Sequence, residues 1–406
     1  MSTPLHRRLG TGDAVVIGLG SMVGAGVFVV FGPAAAAAGG GLPAALAVAA
    51  VVAYCNATSS ARLAALYPVS GGTYVYGRER LGQFWGYLAG WSFIVGKTAS
   101  CAAMALTVGL YLWPANPHAV AVAAVVALTA VNYRGIEKSA WLTRVIVAVV
   151  LAVLAAVVAT VALSGKADPA GITVGGGSAG GVLQAAGLLF FAFAGYARIA
   201  TLGEEVRDPT RTIPRAIRLA LGITLAVYAA LAAALMAILG PELASATAPL
   251  AQAVDAAGAA WLEPVVRIGA AVAALGSLLS LILGVSRTGL AMARDGNLPS
   301  ALAVVHPRYR VPHRAELAVG AVVAVVAAIA DVRAAIGFSS FAVLMYYAIA
   351  NASAWTLDAP VRERLIPVLG MAGCLLLAFF LPLGSVLTGA AVLAVGTVIY
   401  AVARSR

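Results

Sequence analysis

Apolar runs of about 20 residues, parted by short polar or basic connectors, recur from one end of the chain to the other. A run of that length is what an α-helix needs to cross a bilayer. The pattern predicts twelve membrane-spanning helices, at 13–32, 43–66, 82–113, 117–133, 140–163, 181–205, 214–239, 263–293, 315–330, 333–357, 365–382 and 384–403. An even number of crossings puts both termini on one side. The first run is rich in glycine and lacks a cleavage site, so it reads as a span and not as a removable signal.

Composition supports this reading. Of 406 residues, 62% are hydrophobic and 10% charged, where a soluble protein carries about a quarter charged residues. The net charge of +11 suggests nucleic acid at first sight. Its distribution argues otherwise, because the basic residues concentrate at the termini and in alternate connectors. Arg7, Arg8, Arg62, Arg78, Arg80, Arg134, Arg207, Arg211, Arg308, Arg314 and Arg364 fall on one side, against Lys166, Arg267 and Arg333 on the other. That bias places both termini in the cytoplasm of a plasma-membrane protein. Short connectors also deny a nucleic acid the continuous patch it needs, so the lipid bilayer is the partner this charge implies. Cys55, Cys101 and Cys374 lie inside apolar spans as packing residues. The histidines, His6, His118, His306 and His313, lie in termini or connectors with no metal spacing, so neither metal nor cofactor is expected.

Lys97 changes the picture most. It sits roughly 22 Å from either end of its apolar run at 1.5 Å per residue, too far for its stem to reach the membrane surface. An ionisable group at that depth is costly and marks a cavity or ion path. A capped structural lysine, held by backbone carbonyls or Ser100, is the alternative.

Two spans carry signs of interruption. In the first, Gly18, Gly20, Gly24 and Gly26 crowd one segment, each costing about 1 kcal/mol against alanine in a helix. The spacing Gly20-x-x-x-Gly24 also suits a helix-packing face, while a dinucleotide loop lacks the preceding strand. In the sixth span, Phe191, Ala194 and Gly195 precede Arg198, Glu204 and Glu205. That order suggests a short helix, a break and a second short helix. Gly-interrupted spans at corresponding positions of two five-helix halves point to a transporter binding site. Half-helix amino ends suit an anion and carbonyl ends a cation, so the pair suits a zwitterion.

At these residues the chain resembles the amino acid–polyamine–organocation superfamily, near the bacterial cationic amino acid transporter branch. The resemblance rests on the segments 20–28, 67–74, 191–196, 204–214 and 293–299, in the family's order and spacing. It implies an all-α polytopic membrane protein of the LeuT type, with inverted repeats over 1–163 and 164–357 and two further helices over 358–406. It implies a secondary transporter of an amino acid or related small amine, without catalytic residues, working by alternating access with a proton as the coupling ion. An obligate exchanger is the alternative. A membrane enzyme would show an acid or histidine constellation at one face, and a channel a continuous polar pore.

Carried over residue by residue, the resemblance puts the substrate carboxylate on the amides of Gly24, Ala25 and Gly26. The amine meets carbonyls at Met22, Phe191 and Ala194 beside Gly195, with Phe191 as an aromatic lid. Lys97 aligns with a substrate-touching position, and is the candidate for coupling. Arg198, Glu204 and Glu205 are expected to form a gating network at the cytoplasmic mouth. The chain departs from its relatives in two ways. Val150 stands where proton-coupled relatives carry a lysine, and Ala197 where arginine exchangers carry a glutamate. The core is expected to hold no acid. Ser277 and Ser280 read as packing residues of the eighth span, and Tyr74 and Tyr76 as interfacial anchors.

Overall fold

The computed structural model describes residues 9–67, 71–135, 140–172, 175–200, 206–358 and 360–404. In chain order the α-helices are α1 (Thr11–Met22), α2 (Gly26–Val29), α3 (Phe31–Ala38), α4 (Leu42–Leu66), α5 (Thr73–Leu81), α6 (Gln83–Leu112), α7 (Pro117–Tyr133) and α8 (Ala140–Leu163). They continue with α9 (Ala179–Phe193), α10 (Ala197–Ala200), α11 (Pro209–Leu239), α12 (Pro249–Ala256), α13 (Glu263–Arg294), α14 (His313–Ile329), α15 (Val332–Trp355), α16 (Val361–Phe380) and α17 (Leu383–Arg404). Among the described residues, the only β pairing is an isolated parallel bridge between Leu9 and Val206.

Ten helical stretches among these residues are long and apolar enough to cross a membrane. The helices α7 and α14, 17 residues each, lie at the lower limit for a crossing and complete the predicted set. The protein is thus an all-α polytopic membrane protein.

Two boundaries differ from the prediction. The first span runs through α1, α2 and α3 to Ala38, because Pro33 falls in the first turn of α3, where its missing N–H costs nothing. The chain then turns at Gly39, whose φ of 51° favours glycine. The seventh span begins at Pro209, five residues before the expected Pro214, which lies inside α11. Elsewhere the polar residues flanking apolar runs cap the helices. Asp331 accepts from the Arg333 amide at 2.8 Å at the start of α15, and Ser178 accepts from Gly181 at 3.0 Å at the start of α9.

The long helix α6 runs through the middle of the molecule against α13 and α15. The helices α4, α9 and α11 pack together on another side around the first span. The last two spans, α16 and α17, are the least buried of the ten, as befits helices added outside a central bundle. Close contacts come from small residues. Gly96 of α6 meets Ala342 of α15, and Ser100 shares a 2.6 Å hydrogen bond with Ser339. The helix α7 lies antiparallel to α14. The His118 ring donates from Nδ1 to the Ala327 carbonyl at 2.8 Å, while Gly320 packs on Thr129 towards the other end.

Some polar side chains inside the bundle pair across long sequence distances. Asn351 on α15 donates to Asn56 on α4 at 2.6 Å, and the Cys374 thiol of α16 reaches the same oxygen at 3.3 Å. All three cysteines are free and buried. Tyr74 and Tyr76 are buried and not interfacial: Tyr74 donates to Asp295 at 2.5 Å and accepts from Asn297 at 2.9 Å. The expectation of an acid-free core also fails, because Glu316 in the first turn of α14 is fully buried. A carboxylate near a helix start reads as a solvated end residue in sequence, and its burial follows from the packing of α7, α6 and α13 against α14.

Replacing Asn351 by leucine leaves the Asn56 amide without its partner. The thermal unfolding midpoint in detergent should drop by the equivalent of about 1–3 kcal/mol. The double change of Asn56 and Asn351 to leucine should recover most of that loss.

Candidate functional site

The first span stops being helical at Met22 and resumes at Gly26. The Val23 amide still reaches back to Leu19 at 2.7 Å. The amides of Gly24, Ala25 and Gly26 donate to no loop or side-chain acceptor among the described residues. The sixth span breaks at the matching place, where α9 tightens into a 3-10 turn over Ala194–Tyr196 before α10. The first break thus leaves backbone groups that an unbroken helix would have paired internally, whereas the sixth span stays helical through its tightened turn.

The two breaks lie against each other. A Cβ built on Gly195 would collide with the Ser21 carbonyl and sit 2.6 Å from the Met22 nitrogen. One on Gly26 would lie 3.0 Å from the Ala192 Cα and 3.4 Å from the Phe191 ring. Glycine is required at both positions by approach of backbone to backbone. Gly24 in turn faces the Ser277 hydroxyl of α13, which donates to the Gly20 carbonyl at 3.4 Å. Ser277 therefore touches the break, beyond the packing role expected of it.

Three tyrosines satisfy carbonyls at or beside the breaks. Tyr228 of α11 donates to Met22 at 2.7 Å and lies 3.1 Å from the Ala192 carbonyl. Tyr347 of α15 donates to Ala194 at 3.3 Å. Tyr111 of α6 donates to Phe28 at 2.7 Å. Two of the three carbonyls expected to meet an amine, at Met22 and Ala194, thus already accept a buried hydroxyl, and each keeps a second lone pair. Sequence reasoning missed all three tyrosines. Their signal is a phenol deep in an apolar helix, where its hydroxyl must find an acceptor.

Around Ala25 the wall is apolar, made of Val108, Ala271 and Ala274 with Met104 and Leu275 packed behind. Met22, Gly24, Ala25, Gly26, Phe191 and Ala194 are all buried and Gly195 is half-buried, so the junction of the breaks is shielded from solvent.

Lys97 is 9% exposed and has no hydrogen-bond or ion-pair partner among the described residues. With Cys101, Met104 and Val108 it forms one stripe of α6 at helical spacing. Met104 and Val108 pack at Ala25, so Lys97 shares the face of α6 that meets the first break, about 10–17 Å further along the axis. Val150, at the position of the lysine of proton-coupled relatives, is buried in the core of α8. Arg198 is exposed on α10, while Glu204 and Glu205 lie outside the described residues. At the start of α1, Asp13 pairs with Arg144 of α8 and accepts from the Gly10 amide at 3.0 Å. The Arg207 amide donates to Leu9 at 2.9 Å.

Two broken spans meeting back to back inside a polytopic helical bundle define a membrane transporter. The chain belongs to the amino acid permease family, which it matches over residues 9–403. It is 72% identical over 404 residues to a protein of Mycobacterium tuberculosis (strain ATCC 25618 / H37Rv) named Uncharacterized transporter Rv1999c, covering 98% of this chain and 92% of that one. It is 28% identical over 340 residues to the branched-chain amino acid permease BcaP of Bacillus subtilis (strain 168), covering 76% and 72% of the two chains. It is also 28% identical over 378 residues to the human cationic amino acid transporter 4, covering 86% of this chain and 59% of that one. Membership in this family points to a transporter of amino acids rather than an enzyme.

Two substitutions test the contact between the breaks. Gly195→Ala should destabilise the purified protein by about 3 kcal/mol, the upper end for overpacking, because the clash is with backbone. Gly222→Ala on α11, where a Cβ meets nothing within 4 Å, should be neutral or stabilising by up to about 1 kcal/mol. Tyr228→Phe should lower the unfolding midpoint by the equivalent of about 1 kcal/mol while preserving the fold. Thermal unfolding in detergent, with monodispersity checked by gel filtration, measures all three.

Proposed function

We propose that this permease carries a zwitterionic amino acid with an apolar side chain across the plasma membrane by alternating access, using the proton gradient. The observation that carries this reading is the meeting of the unwound segment of the first span with the 3-10 turn of the sixth in a buried junction. The free amides of Gly24, Ala25 and Gly26 suit a carboxylate, since backbone donors in a dry site hold an anion without reorganising. The remaining lone pairs of the Met22 and Ala194 carbonyls, together with the Phe191 carbonyl, suit an α-ammonium. Gly195 allows the two segments to approach, and the Phe191 ring beside Gly26 acts as the lid.

The apolar wall at Ala25 favours an aliphatic side chain, and the Lys97 ammonium on the facing helix disfavours a cationic one. Because the junction is shielded from solvent, substrate enters only when helices part. Alternating access supplies that motion, with residues 1–163 and 164–357 as the inverted repeats and 358–406 outside them. Both termini face the cytoplasm in this scheme, and Arg198, Glu204 and Glu205 work at that mouth. Lys97 carries the coupling proton, since a lysine held away from water without a counter-ion can give its proton up.

Thermal unfolding of the purified protein against single amino acids tests the substrate class. A ligand at a hundred times its Kd stabilises the folded state by about 2.7 kcal/mol. Leucine, isoleucine or valine should raise the midpoint, whereas arginine and lysine should not, and the reverse order would overturn the reading. For coupling, Lys97→Met in proteoliposomes should abolish accumulation driven by a pH gradient while leaving counterflow exchange. Normal pH-driven uptake by the variant would remove Lys97 from the mechanism.

A further inference from the structure

The α7–α14 pair holds a second group of ionisable and polar side chains, away from the broken spans. At the end joined to the 306–314 connector, Tyr133 closes α7 and His313 opens α14. The Tyr133 ring meets His306 at 5.6 Å, Tyr309 at 6.0 Å and His313 at 6.0 Å, and the two imidazoles lie 5.2 Å apart. One turn further in lies Glu316, fully buried.

Several buried polar atoms here lack a partner among the described residues: both carboxyl oxygens of Glu316, Nδ1 of His313 and the hydroxyl of Thr129. They belong to one place. Gly320 packs on Thr129, Glu316 stands one turn before Gly320 on the same face of α14, and Tyr133 one turn after Thr129 on α7. Buried polar groups are nearly always paired, and a cluster of exceptions calls for an explanation.

We propose that Glu316 is a proton-binding site, separate from the broken-span junction and from Lys97, loaded in this conformation and connected to solvent through His313 and His306. A carboxylate enclosed without a donor on either oxygen is strongly penalised, whereas the neutral acid is penalised far less. The positive end of α14 offsets only a small part of that penalty, and the Glu316 amide is already spent on the Pro312 carbonyl at 2.9 Å.

On α13, Arg287 is the charged residue whose field reaches Glu316; it is solvent-exposed, and neither Glu316 oxygen accepts a hydrogen bond from a described residue. On α6 the titratable residues of the inward stripe are Lys97 and Cys101, and neither bonds to Glu316. On α7 it is Tyr133, in the connector His306, Arg308, Tyr309 and Arg310, and on α14 itself His313 and Arg314. The two imidazoles are half-buried and 5.2 Å apart, and His306 Nδ1 accepts from the Arg308 and Tyr309 amides. An imidazole accepts a proton at one nitrogen and donates from the other, and in this proposal His313 and His306 pass the proton between the surface and the acid.

Infrared difference spectra of the full-length protein in lipid, recorded across a step from acidic to alkaline pH, test this without any knowledge of the substrate. The wild type should lose the carbonyl stretch of a protonated buried carboxyl. Glu316→Gln should lack that change, and Glu316→Asp should restore it at a shifted frequency. Identical spectra for wild type and Glu316→Gln would overturn the proposal. Should the glutamine variant fail to fold, the wild type alone decides. Dicyclohexylcarbodiimide adds to protonated carboxyls from the lipid phase, so peptide mass mapping should find the adduct on Glu316, decreasing as pH rises. Labelling confined to other acids would equally refute the site.

Discussion

In hydrocarbon no water is available to pair an open amide or carbonyl, so every backbone group must find its partner inside the protein. Two spans of this permease break midway, and that constraint governs what surrounds them. The first and sixth spans lie face to face at Gly195 and Ser21, too close for any Cβ between them. Tyr228, Tyr347 and Tyr111 reach in from α11, α15 and α6 to the Met22, Ala194 and Phe28 carbonyls. Those three helices are therefore held in register with the breaks. Among the described residues, the amides of Gly24, Ala25 and Gly26 donate to no loop or side-chain acceptor.

The same economy applies to charge. Most ion pairs lie at helix ends, such as Asp13 with Arg144, Arg78 with Asp295 and Glu263 with Arg267. Half-exposed pairs of this kind contribute little to stability, and their effect is to hold helix ends in position. Lys97 and Glu316 are different, since each is buried and neither has a partner among the described residues. A membrane protein keeps such groups at considerable energetic cost. They lie on different helices of the same packed group, α6 and α14.

The family match over residues 9–403 and the geometry of the breaks support each other. Relatives at 28% identity include proteins named for branched-chain and for cationic substrates. Val108, Ala271 and Ala274 pack around Ala25 as an apolar wall, which is the observation behind the proposed aliphatic substrate. Glu316, the acid that is buried, lies with the α7–α14 pair and away from that wall.

The number and order of the spans, and the places where two of them break, were legible in the sequence alone. Solvation in lipid depends on the length of an apolar run, and helix interruption on local glycine content, both of which are properties of neighbouring residues. Gly24, Gly26 and Gly195 were found this way, and so was the isolation of Lys97. Tertiary structure decided which groups the breaks keep open. Tyr228 and Met22 are 206 residues apart, and Asn56 and Asn351 are 295 apart, so no local pattern announces their contact. It also decided that Tyr74 is buried against Asp295, and that Glu316 at a helix start is enclosed instead of solvated. Burial of a polar side chain depends on which helices pack over it, and that arrangement exists only once the whole bundle has assembled.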